Sequence, residues 1–463
     1  MRVRIPILAW FASAALAVAS AAGQAVVALA TAETALLGRF AQGPIDFPVR
    51  VGSAEFASRF ASGNSSTWPA EVQAREYFAN GGTELTIVRV SDTGSLAAAL
   101  TGNALTFTGL HALEPLSNLR LLIAPEISVL SAVEFTDTFA AFRAYLQPRR
   151  IFFILDPPPG LSTTNAMVAW ADASLPTDAG FCAVYFPSLQ VLLDGALLTV
   201  PPGGAMAAIY ARSDAAGGIW QSPSGTSLPI VAQGISLAIN TNDSNLLVSH
   251  NVNPIRQFPG TGILPWAART LDRSAADTKY IPIVRTLQWI AASIERSLAF
   301  AAAADDAEPL WAQIRSGVGS FLHGLWLQGA FVGSTQDMAY FVRCDASTTS
   351  VADIAAHRVN LTYGVAMLRA LEFDLTFLSA PTFDALRSVP LPAIRVQNIS
   401  SVLGLSYPTE AGFNYVLEFS GNLQANPFAD AAPSVTGDGA WRTLSLPLGA
   451  GQDFYRLRIA PVR

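Results

Sequence analysis

The chain has 463 residues, 51% of them hydrophobic and 13% charged, and a net charge of −6. It is too long for one hydrophobic core and implies about three domains at roughly 150 residues each. With Lys279 as its single lysine, it offers no basic stripe for a phosphate backbone, which argues against nucleic acid as a partner. So apolar a chain has surface to hide, and a partner subunit is one place to hide it.

At the N-terminus Arg2 and Arg4 precede the apolar run Ile5 to Val18, followed by Ala19, Ser20, Ala21 and then Gly23-Gln24-Ala25. This is the layout of a secretory signal peptide over residues 1–25, with cleavage after Ala21 or Ala25; the alternative is an apolar strand or helix of the mature protein. The run is shorter than the roughly 20 residues a membrane span needs, and no other uninterrupted segment approaches that length. No stable membrane span is therefore predicted.

Between Val26 and Arg39, Val27, Leu29, Leu36 and Leu37 read as strand, leading to the turn Gly43-Pro44. A short helix is predicted over 53–60 and another from Pro69 to Phe78, where Pro69 suits a first turn and Asn80-Gly81-Gly82 stops the helix. Leu85 to Val90, Leu119 to Ala124 and Ile151 to Leu155 are β-rich runs with helical stretches between them, an alternation that predicts an α/β domain with a largely parallel sheet. Pro201 to Arg269 is dense in Gly, Pro, Asn and Ser and predicts loops and short strands. Leu287, Ile290, Ile294 and Leu298 mark one face of a helix over 286–302, and a second amphipathic helix starts at Pro309 and stops at Gly329. Strands follow at 339–343 and 359–361. Leu371, Phe373, Leu375 and Phe377 then alternate as residues sharing one face of an extended strand. From Ala393 to Arg463 only short alternating strands and turns remain, the pattern of a small all-β sandwich.

The residues of reaction chemistry do not assemble along this sequence. It has no Gly-x-Ser-x-Gly elbow and no Gly-rich loop before Lys279. Gly317-Val318-Gly319 lies inside an amphipathic helix, where close packing explains it better than a dinucleotide turn. His111, His250, His323 and His357 never pair at metal-ligand spacing. Asp305, Asp306 and Glu308 precede Pro309, where a helix dipole accounts for them. Cys182 and Cys344 are far apart, and Cys182 sits in an apolar run that suits a small buried thiol better than a disulfide. No catalytic, cofactor or metal residues are assigned, and the chain is expected not to be an enzyme.

Several segments, in order, resemble the contractile phage tail sheath family. They include Ala35-Leu36-Leu37-Gly38-Arg39 with Gly43-Pro44, Tyr77-Phe78-Ala79-Asn80-Gly81-Gly82, Tyr210-Ala211-Arg212-Ser213-Asp214 and Gly218-Ile219-Trp220. The strongest block is Asn253-Pro254-Ile255-Arg256, Trp266-Ala267-Ala268-Arg269 and Lys279-Tyr280-Ile281-Pro282-Ile283-Val284-Arg285, continuing to Phe341-Val342-Arg343-Cys344-Asp345. The resemblance runs from about Ala28 to Phe377 and implies an α+β multidomain protein with mixed sheets and amphipathic helices. On that reading residues 26–200 form an N-terminal and outer α/β domain, 201–380 an inner domain with a strand arm, and 390–463 an appended β-sandwich.

The resemblance further implies a helical homo-oligomer around an inner tube protein, with baseplate and terminator proteins as partners, in a phage tail or phage-like contractile particle. In such assemblies terminal arms donate strands to neighbouring subunits. Leu371, Phe373, Leu375 and Phe377 are the candidate C-terminal donated strand; an internal strand of the same domain is the competing reading. The N-terminal counterpart is expected between Val26 and Thr34, although the family's Pro-Gly-Val-Tyr opening is absent. The competing function is a secreted monomeric binding protein or hydrolase whose β tail contacts glycan or cell envelope.

Overall fold

A computed structural model describes residues 25–61, 68–274, 277–384, 394–399, 402–420, 429–447 and 454–462. The signal-peptide reading lies, apart from Ala25, outside the described residues. Eight strands build the central sheet: β1 (Thr34–Gly38), β2 (Val49–Val51), β3 (Leu85–Arg89), β4 (Leu121–Ile123), β5 (Phe152–Leu155), β6 (Cys182–Phe186), β7 (Val252–Phe258) and β8 (Gly262–Pro265). Their order is β8-β7-β6-β5-β4-β1-β3-β2. The six inner strands run parallel, and only the edge strands β2 and β8 pair antiparallel, as the strand and helix alternation predicts.

Because successive strand residues point to opposite faces, each strand feeds two cores. Leu36, Ile87, Leu121 and Ile154 face one, while Leu37, Val88, Leu122 and Phe153 face the other. Helix α1 (Pro69–Ala79) has its proline in the first turn and packs Ala70, Ala74 and Tyr77 onto the first face. On the second face lies α2 (Ala132–Leu146), through Phe135, Phe139 and Phe142, with its start closed by a reciprocal Ser131–Glu134 capping box. Gly38 ends β1 where a Cβ would collide with Ala70 and the Glu126 carboxylate, so the Gly38-Arg39 step meets a packing need.

The loop-rich reading of Pro201 to Arg269 needs correction. The 15-residue helix α3 (Gly203–Gly217) lies within it, as does the shorter helix Thr241–Ser249. Every residue from Gly203 to Tyr210 is buried, so this helix has no polar face to generate a helical period in the sequence. A Cβ on Gly204 would run into the Gln73 carbonyl of α1; glycine here is a condition of close helix contact, not a turn signal.

Helix α4 (Ile281–Ser297) starts five residues before the amphipathic pattern and gives way to a 3-10 segment at Leu298–Ala303. It connects two cores: Ile281 and Val284 reach the first face of the sheet, while Trp289, Ile290 and Ile294 join a third core. The third core also takes in α5 (Glu308–Leu327), which holds Gly317 and Gly319 within its span. A three-stranded antiparallel sheet completes it: β9 (Tyr340–Arg343), β10 (Arg358–Val365) in the middle, and β11 (Asp374–Pro381).

The strand predicted from Val26 begins only at Thr34. Residues 27–31 instead lie along α4, whose side chains take up their backbone groups: the Val27 and Leu29 amides donate to Ser297 Oγ (3.0 Å) and Ser293 Oγ (3.1 Å), and Trp289 Nε1 donates to the Leu29 carbonyl (2.7 Å). In the C-terminal region Arg395–Ile399, Val402–Pro408 and Trp441–Pro447 form one antiparallel sheet, and Phe413–Ser420 pairs with Phe454–Pro461 in another. Tyr407, Phe413 and Tyr415, packed with Leu444, Leu457 and Ile459, draw on both sheets. This module touches the body through Trp441 on Phe107 (5.0 Å between centroids) and Asp438 on Arg296 (2.9 Å). No helix of the described residues is long and apolar enough to cross a membrane.

Candidate assembly interface

Several segments singled out in the sequence serve as joints between elements. Asp214 of α3 and Arg285 of α4, their side chains each 2% exposed, form a two-pronged ion pair at 2.9 and 2.7 Å. Arg285 also lies over the Tyr210 ring (4.8 Å) and donates to the Thr31 carbonyl (3.1 Å), while the Tyr210 hydroxyl meets that of Tyr185 at 2.9 Å. One guanidinium thus ties the Tyr210 to Asp214 segment, α4 and the N-terminal stretch together. Asn253 does similar work between strands: its amide donates to the Val184 and Arg269 carbonyls and its oxygen accepts from the Arg269 amide at 2.6 Å. At the end of α1, Asn80 accepts from the Val231 amide at 2.7 Å. These polar groups are spent on hydrogen bonds that burial demands, and none is left poised for reaction.

His250 pairs with Asp172 (2.9 Å) and His323 with the Tyr340 hydroxyl (3.1 Å), in separate places, and both cysteines are free and buried. Asp306 accepts from Trp311 Nε1 (2.6 Å) and Glu308 pairs with Arg315, so side-chain partners add to the helix-dipole explanation. A cleft of about 860 Å³ beside Trp220, Trp266 and Tyr280 is lined by no carboxylate, imidazole or thiol able to serve as general base or nucleophile. Among the described residues no three His, Cys, Asp or Glu side chains converge as a metal site.

The candidate interface lies on the small sheet. Its inner face is buried by Val359, Leu361, Tyr363, Leu378 and Ala380. Strand alternation sends Leu375 and Phe377 of β11 to the outer face, where they are 55% and 72% exposed. Phe373 precedes the strand and packs edge-on against Phe341 of β9, with ring centroids 5.1 Å apart; Arg343 lies over that same Phe341 ring (5.3 Å). Leu371 is exposed but sits in the preceding turn with a φ of 69°, so it does not belong to the strand. The structure brings together Phe373, Leu375 and Phe377 and leaves Leu371 aside. Phe341, absent from the sequence-based set, completes the patch through the register that sets it opposite Gly364, which is itself opposite Leu375. Strand β11 pairs with β10 of its own chain, and among the described residues no strand pairs with its other edge.

No protein-family profile and no curated protein sequence matches the chain. Solved structures do. The chain is 25% identical to a sheath protein of an extracellular contractile injection system, the PVC sheath complex in its contracted state, covering 81% of this chain and 95% of that one with a TM-score of 0.61. The helical sheath of the anti-feeding prophage in its contracted state matches at 23% identity over 81% and 97% of the two chains, with a TM-score of 0.62. A sheath tail protein from Listeria innocua shares the fold at 10% identity, covering 78% and 96%, with a TM-score of 0.53.

Proposed function

We infer that this chain belongs to the contractile tail sheath family and works as a structural subunit of a sheath. The observation that carries this reading is the likeness to the injection-system sheath protein along nearly that protein's whole length. In the proposed assembly the subunits polymerise helically around an inner tube, meet a baseplate and a terminator at the ends, and contract to drive the tube through a target envelope. Contraction requires no catalytic site; a switch between two packings of the same subunits supplies the work. Residues 26–200, with the helix at 203–217 and the strands at 252–265 that complete their sheet, act as the outer part, the rest up to 380 as the inner part, and 390–463 as an added module.

Phe373, Leu375 and Phe377 serve as the contact to a neighbouring subunit. Exposed aromatic and branched side chains on an edge strand favour association, each buried large side chain contributing roughly 1.5–3 kcal/mol, and an unpaired edge offers a row of backbone hydrogen bonds. Electron microscopy of the purified full chain tests this. Wild-type protein is expected as rings or striated tubes, and the double variant Leu375→Asp, Phe377→Asp as folded monomers with an unchanged circular dichroism spectrum. Strictly monomeric wild-type protein at high concentration would refute the sheath role and favour a solitary secreted binder. Tubes formed by the double variant would refute the assignment of the contact alone.

A further inference from the structure

Four arginines meet at a cleft of about 420 Å³ between the body and the C-terminal module: Arg120 just before β4, Arg149 and Arg150 after α2, and Arg296 in the last turn of α4. Asp438, Gly439, Ala440 and Trp441 of the module form the opposite wall. Three of the arginines have carboxylate partners: Arg149 pairs with Glu114 (2.6 Å), Arg150 with Glu295, and Arg296 with Asp438 (2.9 Å). Arg120 has none. It is 6% exposed, donates only to the carbonyls of Arg149 (3.4 Å) and Ser117 (3.2 Å), and its Nε finds no partner among the described residues. Burial, and then Arg150 beside it, lower its pKa to about 10, so it stays charged at neutral pH.

A second unmatched donor lines the same cleft. Tyr145 is 4% exposed, and its hydroxyl has no partner among the described residues. Arg150 is held in the left-handed region at φ 55°, a conformation that non-glycine residues adopt rarely and that clusters at ligand-binding places. A buried cation needs an anion, and a buried hydroxyl needs an acceptor. The three carboxylates that line the cleft are already committed to ion pairs, and Glu33 and Glu295 act on the Arg120 charge only from beyond ion-pair distance, so the buried Arg120 Nε and Tyr145 hydroxyl are left for an acceptor from outside the chain. The two free donors approach from the start of β4 and the end of α2, an arrangement that suits an acceptor with several oxygens.

We propose that this cleft binds a small phosphate-class oxyanion, held by the Arg120 guanidinium and the Tyr145 hydroxyl, at the seam where the C-terminal module meets the body. The anion neutralises Arg120 and fills a space walled on one side by the module, so its binding favours the docked arrangement. The site is independent of the sheath contact on β11 and holds whether or not the chain polymerises.

Calorimetric titration and thermal melting of the full chain, in inorganic phosphate and in chloride at matched ionic strength, test the proposal. The expected result is saturable binding of one anion per chain and a melting temperature raised by phosphate but not by chloride. Arg120→Met abolishes the binding. Tyr145→Phe weakens it by about tenfold, equivalent to roughly 1.4 kcal/mol, and leaves the fold intact because the lost hydroxyl bonds nothing among the described residues, so this arm decides the matter if the arginine variant fails to fold. A hexose 6-phosphate titrated in parallel separates the two sources of the ligand: tighter binding than inorganic phosphate assigns the cleft to phosphate monoesters, and weaker binding assigns it to the free ion. Equal melting shifts in chloride and phosphate, or wild-type affinity in Tyr145→Phe, would overturn the proposal.

Discussion

The central sheet and the small β9–β11 sheet are made from the same kinds of residue and use them oppositely. In β1, β4, β5 and β6 every residue is buried, because helices cover both faces. In β11 burial alternates, and the residues turned outward include Leu375 and Phe377. A strand covered on both faces spends its apolar surface on its own fold. A strand covered on one face, with apolar groups on the other, has surface left for a second molecule.

The strongest way to break this contrast is to attack the joint between the two regions. Arg285→Ala leaves Asp214 buried without its partner and is expected to cost about 3–5 kcal/mol in urea unfolding. The paired change Arg285→Met with Asp214→Leu should cost much less, since it removes both charges together; an equal cost would show that packing, not charge, holds the joint.

A smaller effect separates the buried end of the central sheet from the exposed strand by pH. Burial raises the Glu126 and Asp156 carboxyls to about 7, against ordinary values of 4.5 and 3.8. The folded chain therefore keeps protons that the unfolded chain has lost, so this contribution to stability is full below about 4, falls as pH rises towards about 7, and is gone above. Glu126→Gln should flatten part of that fall in urea midpoints measured across the range. A variant with an unchanged slope would mean that the carboxyl ionises freely in the folded chain. The smallest effect on stability is expected on β11, where Phe377→Asp should shift the unfolding free energy of the monomer by no more than about 0.5 kcal/mol, as exposed positions usually do. A loss of several kcal/mol there would place Phe377 in the core of its own chain.

Legibility followed the patterning of each segment. The helix from Pro69 and the strand at Phe152 could be read because proline position and β-rich runs are local signals. Helix α3 could not, since its first two turns are buried on all sides and show no period, and its glycines look like a turn. Alternation from Leu371 to Phe377 disclosed a strand with a shared face, yet it set the start too early, because Leu371 is held in a turn by the hydrogen bond its amide donates to the Met338 carbonyl. The cleft around Arg120 left no trace: its arginines come from positions 120, 149, 150 and 296, and nothing in their spacing announces that they meet.

By itself the sequence determined the alternation of strands and helices, the mostly parallel sheet, the β-rich tail and the family likeness, all of which rest on short-range patterns of apolar, glycine and proline residues. Only the tertiary structure decided that Val27 to Thr31 follows α4, that Arg285 closes on Asp214, that Phe341 joins the outer face of the small sheet, and that the Arg120 Nε is left without a partner among the described residues. The physical reason is that a pattern records which side of an element is apolar, whereas partners distant in the chain are chosen by the burial of the whole molecule.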